Sequence, residues 1–318
     1  MKQLVLSPAL QADLQHVEQL ILERIKSHSA VMNVAGRYLL NSGGKRLRAL
    51  LALVCARFGQ NEPASAVHAA IAVELIHTAS LVHDDLVDEA ERRRGVVTVH
   101  TRWDHGVALL VGDYFFALAA AEMALSPDPR IITYFAHAAM TICEGELSPV
   151  MTTTPLETAL EQYYYKIGCK TAALFASACK AGMASGGGTD EQINAMECFG
   201  NDLGLAFQVV DDILDFVGDE QTLGKPAGSD MRRGIITLPL IYAVAATQDE
   251  RLAAVVDTQD EDEIQWAIGR VKRYGIEPSR EAARSLIDRA LTYLNIFPES
   301  EPHQILSDVA TFVLERDR

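Results

Sequence analysis

The sequence has few cysteines, few tryptophans and a deficit of positive charge. Its five cysteines (Cys55, Cys143, Cys169, Cys179 and Cys198) form no CxxC pair among 318 residues. We therefore expect buried thiols in a reducing compartment, and neither a disulfide framework nor a zinc site. The net charge is −15. Because a surface that binds nucleic acid must be basic, this charge argues against nucleic acid as the main partner.

Long apolar runs and alternating patterns are also scarce. No uninterrupted apolar run approaches the length of a membrane span, and the first residues turn polar too early for a signal peptide, so we expect a cytoplasmic protein. Apolar residues recur instead at i, i+3, i+4 and i+7 along most of the chain. Since no segment resembles a linker, the pattern predicts an all-α protein that forms a single large helical domain over residues 1–318.

Two clusters of aspartates share the pattern DDxxD. They are Asp84, Asp85 and Asp88 in LVHDDLVDEAERRRG, and Asp211, Asp212 and Asp215 in FQVVDDILDF. On a helix the first and last aspartates of such a cluster lie about 5–6 Å apart, and their repulsion destabilises the helix unless a cation bridges them. A single cluster is more often a solvated acidic face. Two copies, both flanked by apolar helix, favour a Mg²⁺ site built from carboxylate oxygens.

Basic residues occur in short groups that can complement a charged substrate. They are Lys45, Arg46 and Arg48 after a glycine turn, Arg93 and Arg94 after the first aspartates, Lys170 before Thr171, and Lys225 after the second aspartates. His77 lies seven residues before Asp84, on the same side of the predicted helix. Each of these residues alone reads as a solvated or structural side chain. Together they indicate two anion sites beside a metal cluster.

These motifs resemble those of the all-trans polyprenyl diphosphate synthases. From about Gly43 to Leu240 the chain contains, in the family's order, GGKRLR, ELIHTASLVHDDLVDEAERRRG, VGDYFF, GEL, KTAALF, FQVVDDILDF, GKPAGSD and TLPLI. The resemblance implies the isoprenoid synthase fold, in which the two aspartate-bearing helices face each other across a central cavity. It also implies a homodimer.

The resemblance further implies a reaction and roles for the residues. Isopentenyl diphosphate would add five carbons to an allylic diphosphate after the allylic C–O bond ionises. Three Mg²⁺ ions would be present with substrate bound, held by Asp84, Asp88 and Asp211, with Asp85, Asp212 and Asp215 as further catalytic aspartates. The allylic diphosphate would contact Arg93, Lys170, Thr171, Gln208 and Lys225. Isopentenyl diphosphate would contact Lys45, Arg48, His77 and Arg94.

Two small residues before the first motif bear on product length. Short-chain members of the family commonly carry a bulky aromatic residue at one of the positions of Ala79 and Ser80, where it closes the floor of the cavity. Here both are small. We therefore expect an open tunnel and a long apolar product of about C30–C40. Because such a product is too apolar for water, we expect slow release that needs transient lipid or membrane contact. Close helix packing is the alternative reason for small residues, and Leu109, Leu110 or Phe115 could still plug the tunnel.

The chain departs from the family's pattern at two positions. Pro149 replaces a common glutamine after Glu146, and a proline within a helix would kink it. Ile235 replaces a lysine expected to bind diphosphate, which could shift that role to Arg232 or Arg233.

Alternative functions remain open. A short-chain (farnesyl or geranylgeranyl) diphosphate synthase would use the same aspartates. A regulatory subunit of a two-component synthase usually lacks them, and a second synthase subunit is a possible partner. A class I terpene cyclase needs no second diphosphate site, so Lys45, Arg48 and His77 argue against it.

Overall fold

The computed structural model describes residues 6–41, 43–44, 46–93, 95–218, 226–258 and 260–316. Three predicted binding residues, Lys45, Arg94 and Lys225, lie outside these residues. The described helices are α1 (Pro8–Arg24), α2 (Ala30–Asn41), α3 (Leu47–Ala56), α4 (Val67–Val87), α5 (Val99–Arg102), α6 (His105–Ala124), α7 (Arg130–Glu146), α8 (Leu156–Ile167), α9 (Ala173–Ser185), α10 (Asp190–Val217), α11 (Ser229–Arg232), α12 (Leu238–Thr247), α13 (Glu250–Ala253), α14 (Glu261–Tyr274), α15 (Ile276–Thr292) and α16 (Glu301–Glu315).

Shorter elements connect these helices. A π-helical turn over Gly168–Ala172 joins α8 to α9, and 3₁₀ turns span Pro63–Ala66, Val255–Asp257 and Tyr293–Ile296. The described strands are β1 (Arg92–Arg93) and β2 (Val96–Val97), which form a small antiparallel hairpin. The predicted all-α fold is therefore confirmed.

Two strongly apolar helices, α3 and α4, lie in the core, as their sequences predict. Every residue of α3 except Arg48 is buried. The α4 helix packs between α3 and α6, while α10 packs against α9 and α15. A single cluster of buried apolar side chains includes residues from Leu10 to Val313. The expectation of one domain over residues 1–318 stays a prediction.

Two helices have the length and composition of membrane spans. One extends over Ala64–Val87 and the other over His105–Ala124. The fold buries 72% of the most apolar window of the first, which is typical of a core helix, but only 39% of that window in the second. The α6 helix thus keeps an apolar face at the surface.

Two local features bear on the sequence patterns. Thr189 and Gln192, spaced as in a capping box, form one at the start of α10. The expectation that all cysteines are buried is wrong for Cys143 and Cys198, which are exposed. Both lie at positions of α7 and α10 that are turned away from the core, which periodicity within an apolar stretch did not reveal.

Glycine permits the close approach of the central helices. A Cβ added at Gly182 of α9 would lie 2.2 Å from the carbonyl oxygen of Ala52 in α3. That oxygen belongs to the backbone of a buried helix and cannot move aside cheaply. The contact between α3 and α9, near the end of α9 that is farthest from the π-helical turn, therefore depends on the absence of a side chain at position 182.

We expect Gly182→Ala to lower the free energy of unfolding by about 1–3 kcal/mol, because the methyl group overpacks this contact. Gly269→Ala provides the control, since no atom lies within 4 Å of a Cβ at that helical position. It should raise stability by about 0.5–1 kcal/mol. Urea denaturation of both variants measures the difference. Equal effects of the two substitutions would contradict the packing argument.

Candidate active site

The first aspartate cluster lies where α4 ends. Asp84 is in the last turn, and the backbone N–H of Asp88, just beyond the helix, donates to the Asp84 carbonyl over 2.8 Å. Asp85 is buried and accepts a 2.7 Å hydrogen bond from Arg93 Nε on the hairpin. Burial raises the pKa of Asp85, and Arg93 only partly offsets this rise. Asp85 therefore anchors the hairpin to α4.

Lys170 is the cation of this cluster. Its Nζ lies 2.8 Å from Glu146 Oε2 and 3.7 Å from Asp84 Oδ2. Burial lowers the pKa of Lys170, but Asp84, Glu146 and Asp88 outweigh burial and the net pKa is raised. For Asp84, burial raises the pKa against the opposing effect of Lys170. The lysine thus stays charged between carboxylates.

The π-helical turn Gly168–Ala172 carries Lys170 to this position. Gly145, next to Glu146 at the end of α7, packs against it: a Cβ at position 145 would lie 2.3 Å from that of Cys169. Glu146 was not predicted as a site residue, although it belongs to the GEL motif. The prediction of a helix kink at Pro149 is wrong, because α7 ends at Glu146 and Pro149 lies beyond the helix.

Arg233 supplies a second cation. Its Nη2 lies 2.7 Å from Asp88 Oδ2, and this hydrogen bond raises the pKa of Arg233. Arg232 instead pairs with Glu261, with Nη2 2.6 Å from Oε1, and with the carbonyl of Ala227. Of the two arginines suggested by the sequence, Arg233 is the one at the aspartate cluster.

In the second cluster, Asp212 is buried within a chain of hydrogen bonds. The Tyr163 hydroxyl donates to Asp212 Oδ2 over 2.6 Å, and Gln208 Nε2 donates to Oδ1 over 2.9 Å. Thr171 Oγ1 donates in turn to Gln208 Oε1 over 2.7 Å. Burial raises the pKa of Asp212 to about 8, although Tyr163 and Gln208 act in the opposite direction. The chain links Thr171, beside Lys170, to α10.

The other aspartates of this cluster differ in environment. Asp215 is buried, and its Oδ2 accepts from the backbone N–H of Asp230 over 3.1 Å. Asp211 pairs with the guanidinium of Arg316, just after α16, which also lies 4.0 Å above the ring of Phe207. Asp211 is thus the more accessible carboxylate, whereas Asp215 holds the neighbouring loop.

A cavity of about 590 Å³ lies beside the first cluster. Arg48, His77 and Arg93 line it, together with Phe207 of α10 and Arg316. Gly43 and Gly44 also line the cavity, and Gly44 directly precedes Lys45 in the chain. The guanidinium of Arg48 lies 4.5 Å from the centroid of Phe175. Three of the predicted binding residues therefore share one cavity, and Arg93 joins it to Asp85.

Arg46 does not act as a free cation at the helix start. It lies at the N-cap of α3 in a left-handed conformation, and its Nε pairs with Glu18 Oε1 over 3.1 Å. The buried Glu74 accepts from the backbone N–H of Ala49 over 3.1 Å. One backbone N–H group in the first turn of α3, that of Ala49, is thus already hydrogen-bonded to the Glu74 carboxylate.

The residues linked to product length lie on two sides of α4. Ala79 is fully buried, while Ser80 is half-buried and its hydroxyl donates to the carbonyl of His77 over 2.9 Å. Phe115 is buried, but Leu109 and Leu110 are 48% and 61% exposed. The two leucines therefore do not plug a tunnel from within this chain, contrary to that possibility. The tunnel itself stays a prediction.

The oxygen-rich donor set fits Mg²⁺. Within the described residues, no three His, Cys, Asp or Glu side chains converge on one metal position. Mg²⁺ typically takes one or two carboxylates and completes its coordination with waters and substrate phosphates. Asp84 and Asp88, one helical turn apart, are the pair that could supply them. Asp211 could supply a carboxylate from α10.

An all-helical protein with two aspartate clusters, partly exposed cations and an arginine-lined cavity has the groups that an enzyme acting on diphosphates needs. Residues 29–271 match the family described as polyprenyl synthetase. The chain belongs to this family, and it is a prenyltransferase. The predicted family membership and enzyme class are confirmed.

Individual relatives cover nearly the whole chain. It is 38% identical to heptaprenyl diphosphate synthase component 2 of Geobacillus stearothermophilus, over 97% of each chain. It is also 38% identical to the short chain isoprenyl diphosphate synthase of Methanothermobacter thermautotrophicus, over 89% of this chain and 90% of the relative. The crystal structure of a decaprenyl diphosphate synthase from Rhodobacter capsulatus superimposes with a TM-score of 0.89, at 37% identity and 98% coverage of both chains.

The raised pKa of Asp212 predicts a pH dependence of stability. A carboxyl with a folded pKa of about 8 binds its proton more tightly than an unfolded one. Its contribution is fully present below the unfolded pKa of about 4 and is lost as the pH rises through the folded pKa.

The free energy of unfolding of the metal-free protein should therefore fall with rising pH relative to that of Asp212→Asn. Thermal or urea unfolding in the presence of a chelator, from pH 5 to pH 8, measures this difference. A difference that stays constant with pH, or grows in favour of the wild type, would contradict the assignment.

Proposed function

We propose that the protein condenses isopentenyl diphosphate with an allylic diphosphate to form a long-chain all-trans polyprenyl diphosphate of about C30–C40, with Mg²⁺ as cofactor. The observation that carries this proposal is the pairing of two anion sites. One is the aspartate cluster with Lys170 at its centre, and the other is the cavity lined by Arg48 and His77. A condensation of two diphosphates needs both.

The residues of the aspartate clusters would prepare the allylic diphosphate for ionisation. Asp84, Asp88 and Asp211 would hold Mg²⁺, which neutralises charge on the diphosphate leaving group when it is bound. Lys170 is held as a cation beside Asp84 and would contact a diphosphate oxygen. Thr171, fixed by its hydrogen bond to Gln208, would orient the same group.

The arginine-lined cavity would hold isopentenyl diphosphate. Arg48 and His77 line it from α3 and α4, and the apolar walls include Leu81 and Phe207. Lys45 and Arg94 are proposed to join them. Arg93 lines this cavity while bonded to Asp85, so we place it between the two diphosphates. The double bond of the substrate would then point toward the allylic carbon.

We infer the product length from the small residues Ala79 and Ser80. Since neither closes the interior with an aromatic ring, the growing chain would extend along α4 and α6. Similarity to synthases named heptaprenyl and decaprenyl supports a long product, and similarity to one named short chain keeps a shorter product as the alternative. We further propose a cytoplasmic enzyme whose product is released slowly to lipid.

Incubation with Mg²⁺, labelled isopentenyl diphosphate and farnesyl diphosphate should yield C30–C40 products by chromatography, accelerated by detergent. Asp84→Ala should lower the rate by at least about a hundredfold, because a metal carboxylate is lost. Products that stop at C20 would contradict the long-chain proposal. No extension from farnesyl or geranylgeranyl diphosphate, alone or with an added second subunit, would contradict the function itself.

We also propose a homodimer formed through the apolar face of α6 and α7. Exposed apolar side chains on and between these helices are Leu109, Leu110, Leu125, Ile132 and Met140. Neighbouring apolar side chains on two helices form the kind of patch that a second copy covers isologously. A second synthase subunit is the alternative occupant.

Light scattering should therefore give twice the monomer mass for the wild type. Leu110→Glu should yield monomer, because it would bury a charge at the interface. The control Leu22→Glu, at an exposed apolar position of α1, should remain dimeric. A monomeric wild type, or a dimeric Leu110→Glu, would count against this surface.

A further inference from the structure

The segment Gly228–Ile235 connects the two aspartate clusters. At its beginning, the backbone N–H groups of Gly228 and Asp230 donate to the carbonyl and the carboxylate of Asp215, over 2.8 and 3.1 Å. Near its end, Arg233 Nη2 lies 2.7 Å from Asp88 Oδ2. The segment thus extends from α10 to the end of α4, on either side of the expected diphosphate position.

The backbone of this segment directs two adjacent arginines to different places. The short helix α11 ends at Arg232, whose guanidinium pairs with Glu261 on α14. Gly234 follows with a φ of +75°, and the N–H of Ile235 donates to the Asp230 carbonyl over 2.9 Å. This tight turn leaves Arg233 pointing toward the aspartates. Its side chain is 44% exposed, so it is free to change partner.

Carboxylates surround Arg233 and hold it as a cation beside the expected diphosphate position. Its pKa is raised first by Asp88, and Asp230 and Glu146 add to the effect. Lys170 is the other cation of this cluster, and it pairs with Asp84 and Glu146. If Asp88 turns to a metal ion, Arg233 loses its carboxylate partner beside the diphosphate. A guanidinium can then form paired hydrogen bonds with phosphate oxygens.

We propose that Arg233 binds the diphosphate of the allylic substrate and supplies the positive charge that Ile235 cannot. This inference rests on the proposed function and deepens it. Arg233 pairs with Asp88 in the absence of substrate and transfers to the diphosphate when the metal and substrate bind. Ile235 is half-buried and carries no charge, so the site depends on the arginine two residues before it.

Binding of inorganic pyrophosphate in the presence of Mg²⁺, measured by calorimetry, tests the proposal without turnover. Arg233→Ala should weaken binding at least about tenfold, because a charge-assisted hydrogen bond is lost. Arg232→Ala should bind within about twofold of the wild type, since that side chain pairs outside the site. The double variant Arg233→Ala/Ile235→Lys should regain affinity, which a purely structural defect would not allow.

Wild-type affinity in Arg233→Ala would overturn the proposal, because it would make Arg233 only a counter-ion of Asp88. Equal losses in Arg232→Ala and Arg233→Ala would also overturn it by pointing to a disturbed loop. These outcomes are distinguishable from a failure of the proposed function. That function fails if the wild type forms no extended product, whereas Arg233 is tested by comparing variants of a protein that binds pyrophosphate.

Discussion

The crowding of carboxylates at the ends of α4 and α10 is the constraint on which the rest of the site depends. Buried or half-buried acids repel one another, and each needs a partner from elsewhere in the chain. Those partners come from five separate segments, and the pairs are Arg93 with Asp85, Tyr163 with Asp212, Lys170 with Asp84, Arg233 with Asp88 and Arg316 with Asp211. The acids therefore draw the hairpin, α8, the π-helical turn, the loop before α12 and the end of α16 toward one site.

Four of these partners fall into two groups with different tasks. Arg93 and Tyr163 bond to buried acids and fix secondary structure around the site. Lys170 and Arg233 pair with more accessible acids and are themselves partly exposed, and we propose that a metal ion with a diphosphate replaces them as partners of the carboxylates. Displaced cations next to a newly bound polyanion are then in position to bind it. One group of partners thus stabilises the structure, and the other is the group that we propose to bind substrate.

Local patterns in the sequence predicted the all-α fold and the placement of the aspartates on or beside helices, but predicted the partners of these aspartates only in part. The helical period and the DDxxD spacing act over a few residues, so α4, α10 and their acids were evident. Glu146, Tyr163 and Arg316 were missed because their roles arise from contacts between segments far apart in the chain. Periodicity likewise could not show that Leu109 and Leu110 are on an exposed face of an almost entirely apolar helix.

A crystal structure with Mg²⁺ and a non-ionising thio analogue of farnesyl diphosphate would test whether the two aspartate clusters bind the allylic diphosphate. We expect a diphosphate between Asp84, Asp88 and Asp211, with Lys170 and Arg233 in contact with its oxygens and the hydrocarbon running past Ser80. The arginine-lined cavity should remain available for a second diphosphate. A diphosphate bound only in that cavity, with Lys170 still paired with Glu146 and Arg233 still paired with Asp88, would contradict this assignment of the site.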